Sequence, residues 1–138
     1  TTSCAAPVAE WNFEDPSAGS GTSVADSSGN GNTGTWYGGG NHYVSGKQSW
    51  AGGFNGGNDY VSGSITNPPS NNFTLESWIN PSNNGIGVII GYPSCGYDIE
   101  ANSTWQIRNN GIASYNSGIP VNFNKWTHVA LIRDSGNW

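Results

Sequence analysis

The most regular alternation of apolar and polar positions in the chain lies between Phe73 and Pro81. Successive side chains of a β-strand point to opposite faces, so a strand here turns one row of residues toward a core. The inward row comprises Phe73, Leu75, Ser77 and Ile79, and the mixed outward row comprises Thr74, Glu76, Trp78 and Asn80. Pro81 has no N–H to donate to a sheet and ends the predicted strand.

A second segment, from Trp126 to Asp134, has the same length and character. Its apolar residues are consecutive, however: Val129, Ala130, Leu131 and Ile132. A continuous apolar run predicts a strand that is covered on both faces, as in the middle of a two-layer sandwich.

Short segments of the same kind recur along the chain, separated by turns rich in glycine and asparagine. The run Val8–Glu14 alternates and predicts a half-buried first strand, with Trp11 and Phe13 on one side. Strand-like segments at intervals of roughly 8 to 12 residues, with Asn-Gly turns and no helical period, predict an all-β sandwich. We expect five side chains to fill its interior: Trp11, Phe13, Phe54, Leu75 and Leu131.

The composition narrows the classes of function. Only 9% of the 138 residues are charged, but seven Trp, six Tyr and four Phe favour an ordered chain that forms one domain over residues 1–138. The net charge of −5 argues against nucleic-acid binding, because phosphate recognition needs clustered basic residues. The basic residues, which do not cluster, are Lys47, Arg108, Lys125 and Arg133.

The sequence also bears on location. No apolar run approaches the roughly 20 residues that a membrane span needs, so we expect none. The lack of Met fits a mature exported chain whose leader has been removed, and we therefore expect a secreted or cell-surface protein.

Cys4 and Cys95 are the two cysteines of the chain. In an exported protein such a pair is most simply a disulfide, which would close a loop of about 90 residues and contribute ~4 kcal/mol on the chain-entropy account. The alternative is two unrelated free thiols. His42 and His128 lie in unrelated segments, which argues against a zinc site.

The long loop predicted after Asp15 contains a run of oxygen-bearing side chains from Asp26 to Asn32. Carboxylate, hydroxyl and amide oxygens are the ligands of calcium, which takes about six to eight of them, and the glycines allow tight backbone turns. The run is not an EF-hand loop and lacks a closing acid. The alternative is a cluster of Asx-turns that makes its own hydrogen bonds.

Several aromatic residues lie beside predicted turns. Trp36 and Tyr37 precede the glycines at 38–40, and exposed rings beside polar amides suit stacking on sugar rings. Trp105 and Tyr115 also lie next to turns. The alternative is that such rings cap the edge of the sandwich.

Taken together, five segments resemble the concanavalin A-like, laminin G-like jelly-roll modules of secreted proteins. In chain order they are Trp11–Phe13, Asp26–Asn32, Phe54–Val61, Phe73–Pro81 and Trp126–Leu131, and they extend along essentially the whole chain. The resemblance implies an antiparallel two-sheet jelly-roll sandwich that binds glycans or extracellular proteins. It also implies that calcium is often held near the first strand and the following loop. Carried over to this chain, it makes Asp26, Asn30 and Asn32 candidate calcium ligands, with Glu14 as a helper.

The chain departs from these modules at its end. They usually continue with further strands after the Trp-Thr-His-Val segment, whereas this sequence stops at Trp138. Either the chain is a piece of a longer polypeptide, or its sandwich has an open edge that another chain fills. An unpaired edge exposes backbone N–H and C=O groups that an added strand can satisfy, so the second alternative predicts polymers.

Catalysis is the function that the sequence argues against. Glycosidases of this broad fold use paired carboxylates, and Asp98 and Glu100 lie two apart on one predicted strand. Aligning this pair with the glucanase signature places the nucleophile at Gly96, which has no side chain. We therefore expect a protein that is not an enzyme.

The sequence favours a non-catalytic extracellular recognition module that binds carbohydrate or a cell-surface or matrix partner. The residues expected to stack on sugar are Trp36, Tyr37, Trp105 and Tyr115. The alternative is a structural subunit of an extracellular filament or adhesin, completed by strand exchange or edge pairing between copies. Two triplets fit the N-glycosylation pattern, and they begin at Asn72 and Asn102. If they are modified, both asparagines lie at the surface.

Overall fold

The computed structural model describes residues 5–17, 19–39, 42–82, 87–92, 96–109 and 113–135. The regular elements in these ranges are β-strands, and their pairings are all antiparallel, which confirms the predicted all-β class. Within the same ranges there is no helix long and apolar enough to span a bilayer. The chain divides into two compact units, Thr1–Pro68 and Pro69–Trp138. That residues 1–138 act as a single domain stays a prediction.

Five short strands lie in the described ranges of the first unit. They are β1 (Ser23–Val24), β2 (Gly34–Tyr37), β3 (Tyr43–Ser45), β4 (Trp50–Gly52) and β5 (Tyr60–Gly63). β1, β2 and β5 form one sheet in that order, and β3 pairs with β4. Gly34 and Gly63 lie opposite each other in β2 and β5, and both approach the ring of Trp11. A Cβ on Gly63 would lie 3.1 Å from that ring, so the missing side chain makes room for the indole.

The part of the second unit that the structure describes has six strands, most of them longer. They are β6 (Phe73–Ile79), β7 (Gly87–Tyr92), β8 (Tyr97–Ala101), β9 (Thr104–Asn109), β10 (Ala113–Pro120) and β11 (Thr127–Arg133). One sheet has the order β10-β9-β8-β7, and the other consists of β11 and β6, which pair along their whole length. Residues of both sheets share one hydrophobic core, as in a two-sheet sandwich. Its buried members are Phe73, Ile99, Ala101, Trp105, Val121 and Leu131.

The alternation predicted for β6 is confirmed. Phe73 is buried, the other three residues of the inward row are half-buried, and the intervening residues are exposed. Leu75 and Ile79 pack against the core of the second unit. The period of two in the sequence therefore identified the inner face of this strand correctly.

The prediction that β11 is covered on both faces is wrong. Leu131 is only 3% exposed, but the next residue, Ile132, is 61% exposed. The cause is the alternation of side chains along the strand, which places Leu131 on the inner face opposite Leu75 and Ile132 on the outer face opposite Thr74. An apolar run thus fills one face of the strand and leaves apolar side chains on the other.

The predicted strand at Val8–Glu14 is also absent, since residues 5–17 contain no strand. Phe13 has φ of 56°, in the left-handed region, so the backbone cannot continue as an extended strand there. Glu10 uses its backbone groups elsewhere: its N–H donates to Asp26 Oδ1 and its C=O accepts from the N–H of Ser27. The alternation of half-buried and exposed side chains persists, with Trp11 and Phe13 half-buried.

The five side chains expected in the interior differ in their burial. Leu131 is buried, and Trp11, Phe13 and Leu75 are half-buried. Phe54 is 50% exposed, so the prediction that its side chain fills the interior is wrong. Its ring nevertheless contacts that of Phe13 at a centroid distance of 6.1 Å. Phe54 thus belongs to a cluster of ring contacts in the first unit, here named the aromatic cluster. Its members are Phe13, Trp36, His42, Tyr43 and Phe54.

Candidate functional site

Trp36, one of the four residues expected to stack on sugar, lies inside the first unit. Its side chain has 0% exposure and stacks on the buried ring of His42, with centroids 4.5 Å apart and planes 15° apart. Its Nε1–H donates to the hydroxyl of Tyr43 at 3.3 Å. The expectation that this ring is exposed is therefore wrong, because the indole forms the centre of the aromatic cluster.

Trp105 is also buried, at 9% exposure, in the second unit. It lies in β9 opposite Ala101 of β8 and belongs to the core that includes Phe73 and Leu131. The expectation of an exposed ring is wrong here for the same reason as at Trp36. A large apolar ring stabilises the protein most when it leaves water, and proximity to a turn in sequence does not place it at the surface.

Tyr37, in contrast, is exposed and forms a stacked pair with Tyr60. The two residues lie opposite each other in β2 and β5, with ring centroids 4.7 Å apart and planes 11° apart. Their exposed fractions are 43% and 51%. This stacked pair, in which each ring covers part of the other and the rest stays exposed, is here named the tyrosine platform. Sequence reasoning missed Tyr60, because only the strand register brings it beside Tyr37.

A loop of amide and carboxylate groups adjoins the tyrosine platform. Within it, Asn55 Oδ1 accepts a hydrogen bond of 2.8 Å from the N–H of Gly57, and Asp59 Oδ2 accepts one of 3.1 Å from the N–H of Asn55. The loop closes tightly over Gly38, whose φ is 101° and whose Cβ would lie 2.8 Å from Cα of Asp59. Polar groups are thus held in defined positions beside exposed rings.

Tyr115 is the fourth aromatic candidate. It lies in β10 opposite Ile107 of β9 and is 50% exposed. The four candidates therefore divide between the units, with Trp36 and Tyr37 in the first and Trp105 and Tyr115 in the second. Each unit contributes one buried ring and one exposed ring.

Asp26, the leading calcium candidate, is the centre of a hydrogen-bond network. Its Oδ1 accepts from the N–H groups of Glu10 and Ser28, both at 2.9 Å. Its Oδ2 accepts from the Ser28 hydroxyl and from the N–H of Asn32, both at 2.8 Å. Desolvation works against ionisation, but the hydrogen bonds from Glu10, Ser28 and Asn32 outweigh it and hold the pKa of Asp26 well below its ordinary value.

Asn30 and Asn32 use their amides to bind neighbouring backbone. Asn32 is buried, and its Nδ2 donates to the C=O of Val8 while its Oδ1 accepts from the N–H of Thr66, both at 2.8 Å. The Nδ2 of Asn30 donates to the C=O groups of Pro7 and Val8 at 3.1 Å. These contacts hold the segment before β1 and the segment after β5 against the loop.

The remaining calcium candidate, Glu14, accepts a hydrogen bond of 3.3 Å from the N–H of Trp50. Over the described ranges, no group of three or more His, Cys, Asp and Glu side chains is arranged to hold a metal ion. The oxygens of Asp26 are engaged by N–H and O–H donors, as the Asx-turn alternative requires, and an ion would have to displace some of them. In this arrangement the residues do not form a calcium cage, and calcium binding stays a prediction.

The acid pair considered for catalysis is bound by one arginine. Nη2 of Arg108 lies 3.3 Å from Oδ2 of Asp98, and Nη1 lies 3.5 Å from Oε1 of the buried Glu100. The hydrogen bond with Asp98 and the charges of both acids raise the pKa of Arg108. Both carboxylates therefore take part in an ion-pair network on the face of the sheet opposite Ile99.

The two N-glycosylation triplets lie in unit 2. Asn72 is exposed, and its Oδ1 accepts from the N–H of Ser135 at 2.9 Å, whereas Asn102 is half-buried and its Oδ1 accepts from the N–H of Ser103. Modification of either residue stays a prediction. Cys4 and Cys95 lie outside the described residues, so the disulfide also stays a prediction.

Comparison with known proteins shows that the chain matches a family model. A model described as the Concanavalin A-like lectin/glucanases superfamily matches residues 55–138, which is more than half of the chain. The matched range contains β5 to β11, with the segments Phe73–Pro81 and Trp126–Leu131. Neither the curated proteins nor the solved structures gave a match.

Proposed function

This chain belongs to the concanavalin A-like lectin/glucanases superfamily, and from that membership we propose that it is a non-catalytic extracellular module that binds carbohydrate. The family supports a binding role in general, and the surface chemistry of the first unit supports sugar as the ligand. A polar, low-charge chain with 21 glycines and a pair of cysteines also suits a secreted or cell-surface protein.

The tyrosine platform is the observation that carries this proposal. Tyr37 and Tyr60 expose about half of their surface although each ring is large and apolar, and the two rings stack on each other. The apolar face of a sugar packs against such rings, while its hydroxyls need hydrogen-bonding groups close by. The exposed side chains of Asn55 and Asn58 supply amide groups on the neighbouring loop.

The ion pairs of Arg108 support the absence of catalysis. A glycosidase needs one carboxyl group to donate a proton and a second to attack the sugar or activate water. Asp98 and Glu100 are instead bound by the same guanidinium group, and the position that would hold the nucleophile is Gly96.

Affinity electrophoresis in gels that contain neutral polysaccharides, together with a glycan array, tests the proposal. We expect the wild-type protein to be retained and both Tyr37→Ala and Tyr60→Ala to weaken binding by about three- to tenfold, as an aromatic contact of ~0.5–1.5 kcal/mol implies. Tyr37→Phe keeps the ring and serves as the matched control, and Tyr115→Ala measures the contribution of the exposed ring in the second unit. Full retention of both alanine variants would exclude the platform as the binding site.

A second candidate function is a structural subunit that assembles with copies of itself. In the described part of the chain, β6 and β11 pair only with each other, so each has an edge with backbone groups that another strand could satisfy. The outer face of this pair also exposes Trp78 and Ile132. A second copy of the chain fits because edge pairing is self-complementary.

Sizing and negative-stain microscopy of the purified protein separate the two candidates. Edge pairing predicts assemblies larger than the single chain of 14.5 kDa. In an Ile132→Lys variant these assemblies should be smaller, because a charge on the outer face opposes association. Ala130→Ser, on the same face, is the control. A single species of about one chain's mass at high concentration would rule out the assembly.

A further inference from the structure

The first unit contains a cleft that lies outside the tyrosine platform and is lined by Glu14, one of the calcium candidates. Its volume is about 290 Å³, just below the range of roughly 300–1,000 Å³ typical of small-molecule sites, so it suits a single sugar ring rather than a long ligand. Its lining consists of Asn12, Phe13, Glu14, Asp15, Val24, Ala25, Ser27 and Tyr43. Neither tyrosine of the platform takes part.

Two aromatic residues line the cleft, Phe13 and Tyr43, and both contact other rings. The ring of Phe13 packs on Trp36 at 5.6 Å and on Phe54 at 6.1 Å. Tyr43 is fixed by the hydrogen bond that its hydroxyl accepts from Trp36. The left-handed φ of Phe13 turns the chain so that Phe13 lines the cleft together with the two acids that follow it.

Two carboxylates also belong to the lining, those of Glu14 and Asp15. Oδ1 of Asp15 accepts from both the N–H and the hydroxyl of Ser17, at 3.1 and 2.6 Å. Oε2 of Glu14 accepts from the N–H of Trp50. Within the described ranges, Asp15 Oδ2 and Glu14 Oε1 accept no hydrogen bond. Each acid thus keeps one oxygen for a ligand.

The charge of the chain is concentrated in the same unit. The first unit has five acidic residues and one basic residue: Glu10, Glu14, Asp15, Asp26, Asp59 and Lys47. The second unit has four acidic and three basic residues: Glu76, Asp98, Glu100, Asp134, Arg108, Lys125 and Arg133. The first unit is therefore clearly acidic and the second nearly neutral. Such a field raises the local concentration of cations at an acidic cleft.

We propose that this cleft binds the protonated amino group of an amino sugar, and the inference rests on the carbohydrate-binding function proposed above. Glu14 and Asp15 would accept charge-assisted hydrogen bonds from the ammonium group. The faces of Phe13 and Tyr43 add cation–π attraction and pack against the apolar face of the ring. An N-acetylated sugar of the same size lacks the charge and leaves both carboxylates without a partner.

Isothermal titration calorimetry with the whole chain tests the inference. The probe is a β-1,4-linked glucosamine tetramer at about pH 6, where an amino group of this kind is protonated, and its fully N-acetylated counterpart is the matched neutral ligand. We expect the glucosamine tetramer to bind about tenfold more tightly or better, and its affinity to fall with added salt. Spermidine serves as a cation without a sugar ring.

Two variants connect the binding to the cleft. Glu14→Gln and Asp15→Asn keep side-chain shape and an acceptor for Trp50 or Ser17, and each should lose about fivefold or more in affinity for the glucosamine tetramer if both acids contribute charge-assisted bonds. Asp134→Asn removes an exposed acid in the second unit and should bind as the wild type does. Circular dichroism on each variant checks that the fold is kept.

The outcomes separate this inference from the proposed function. Equal affinity for the two tetramers, or unchanged affinity in both cleft variants, overturns the amino-sugar site while neutral glycan binding at the tyrosine platform still stands. Binding of spermidine as tight as that of the tetramer overturns the requirement for a sugar. Selective binding of the glucosamine tetramer that survives Tyr37→Ala but not Glu14→Gln supports the cleft as a separate site.

Discussion

The backbone N–H of Asn32 donates a hydrogen bond of 2.8 Å to Oδ2 of Asp26, and this bond closes the loop that follows β1. The side chain of Asn32 extends the connection, because it binds the C=O of Val8 and the N–H of Thr66. Asn32 thereby connects the loop to two segments that are distant in sequence. A loop that provides so many of its own hydrogen bonds acts as a structural element of the first unit.

Asp26→Asn is expected to lower Tm by several degrees. The change replaces one acceptor oxygen by an NH2 group, which cannot accept the hydrogen bonds that N–H and O–H donors now give to that atom. Thermal unfolding followed by circular dichroism measures the effect, with Asp134→Asn as the control because that acid is exposed. Equal Tm values for the two variants would contradict a structural role for the Asp26 network.

The same carboxyl group predicts a loss of stability in acid. Because the pKa of Asp26 is lowered on folding, its contribution is fully present above the ordinary value of about 3.9 for a free Asp and is lost as pH falls through the lower pKa of the folded state. Urea unfolding midpoints measured between about pH 5 and pH 2 should fall less steeply in Asp26→Asn than in the wild type. Parallel profiles would show that other groups control the acid response.

Calcium in the loop, proposed from the sequence, predicts a metal-dependent Tm. Calcium bound to the folded state raises the free energy of unfolding in proportion to the logarithm of its concentration above Kd. Addition of calcium to chelator-treated protein should therefore raise Tm in the wild type and leave Asp26→Asn unchanged, whereas magnesium should have little effect. A wild-type Tm that is the same with calcium and with chelator would leave the loop held by its hydrogen bonds alone.

Adjacent residues of β11 provide a matched test of the register. Leu131→Ala removes a buried side chain and should cost about 2–5 kcal/mol of the free energy of unfolding. Ile132→Ala alters an exposed side chain and should change it by only about 0.5 kcal/mol. Urea denaturation of both variants gives the comparison, and similar losses would mean that the outer face of β11 is covered after all.

Gly38 and Gly39 give a second matched pair, at the tyrosine platform. Gly38 has φ of 101° and a Cβ there would collide with Asp59, so Gly38→Ala should destabilise the loop by roughly 1–3 kcal/mol and weaken neutral glycan binding. A Cβ on Gly39 meets no atom within 4 Å, so Gly39→Ala should preserve both properties. If Gly38→Ala binds neutral glycans as tightly as the wild type, the conformation of this loop does not contribute to binding at the tyrosine platform.

Much of the fold was predictable because local side-chain patterns report local geometry. The alternation from Phe73 to Ile79 identified a strand and its inner face, since period two is a property of any extended chain. The same reasoning failed for Val8–Glu14, where the left-handed backbone at Phe13 is incompatible with an extended strand although the pattern alternates. Nothing in the sequence marks a phenylalanine for that conformation.

The candidate site was harder to predict because exposure depends on what packs against a residue. Trp36 and Tyr37 are adjacent in sequence, both aromatic and both beside the same glycines, yet one is fully buried and the other is 43% exposed. Their opposite orientations follow from strand geometry, but which face is covered depends on His42, Tyr43 and Phe54, which reach Trp36 from other segments.

The sequence by itself therefore determined the all-β class, the superfamily and the inner face of β6, because these depend on short-range periodicity and on motif order. Only the tertiary structure decided that Tyr60 pairs with Tyr37, that Asp26 binds backbone donors, and that Phe13, Glu14 and Tyr43 line one cleft. These relationships join residues from separate strands and loops. Strand register and loop closure set such distances, and neither is encoded in the pattern of any single segment.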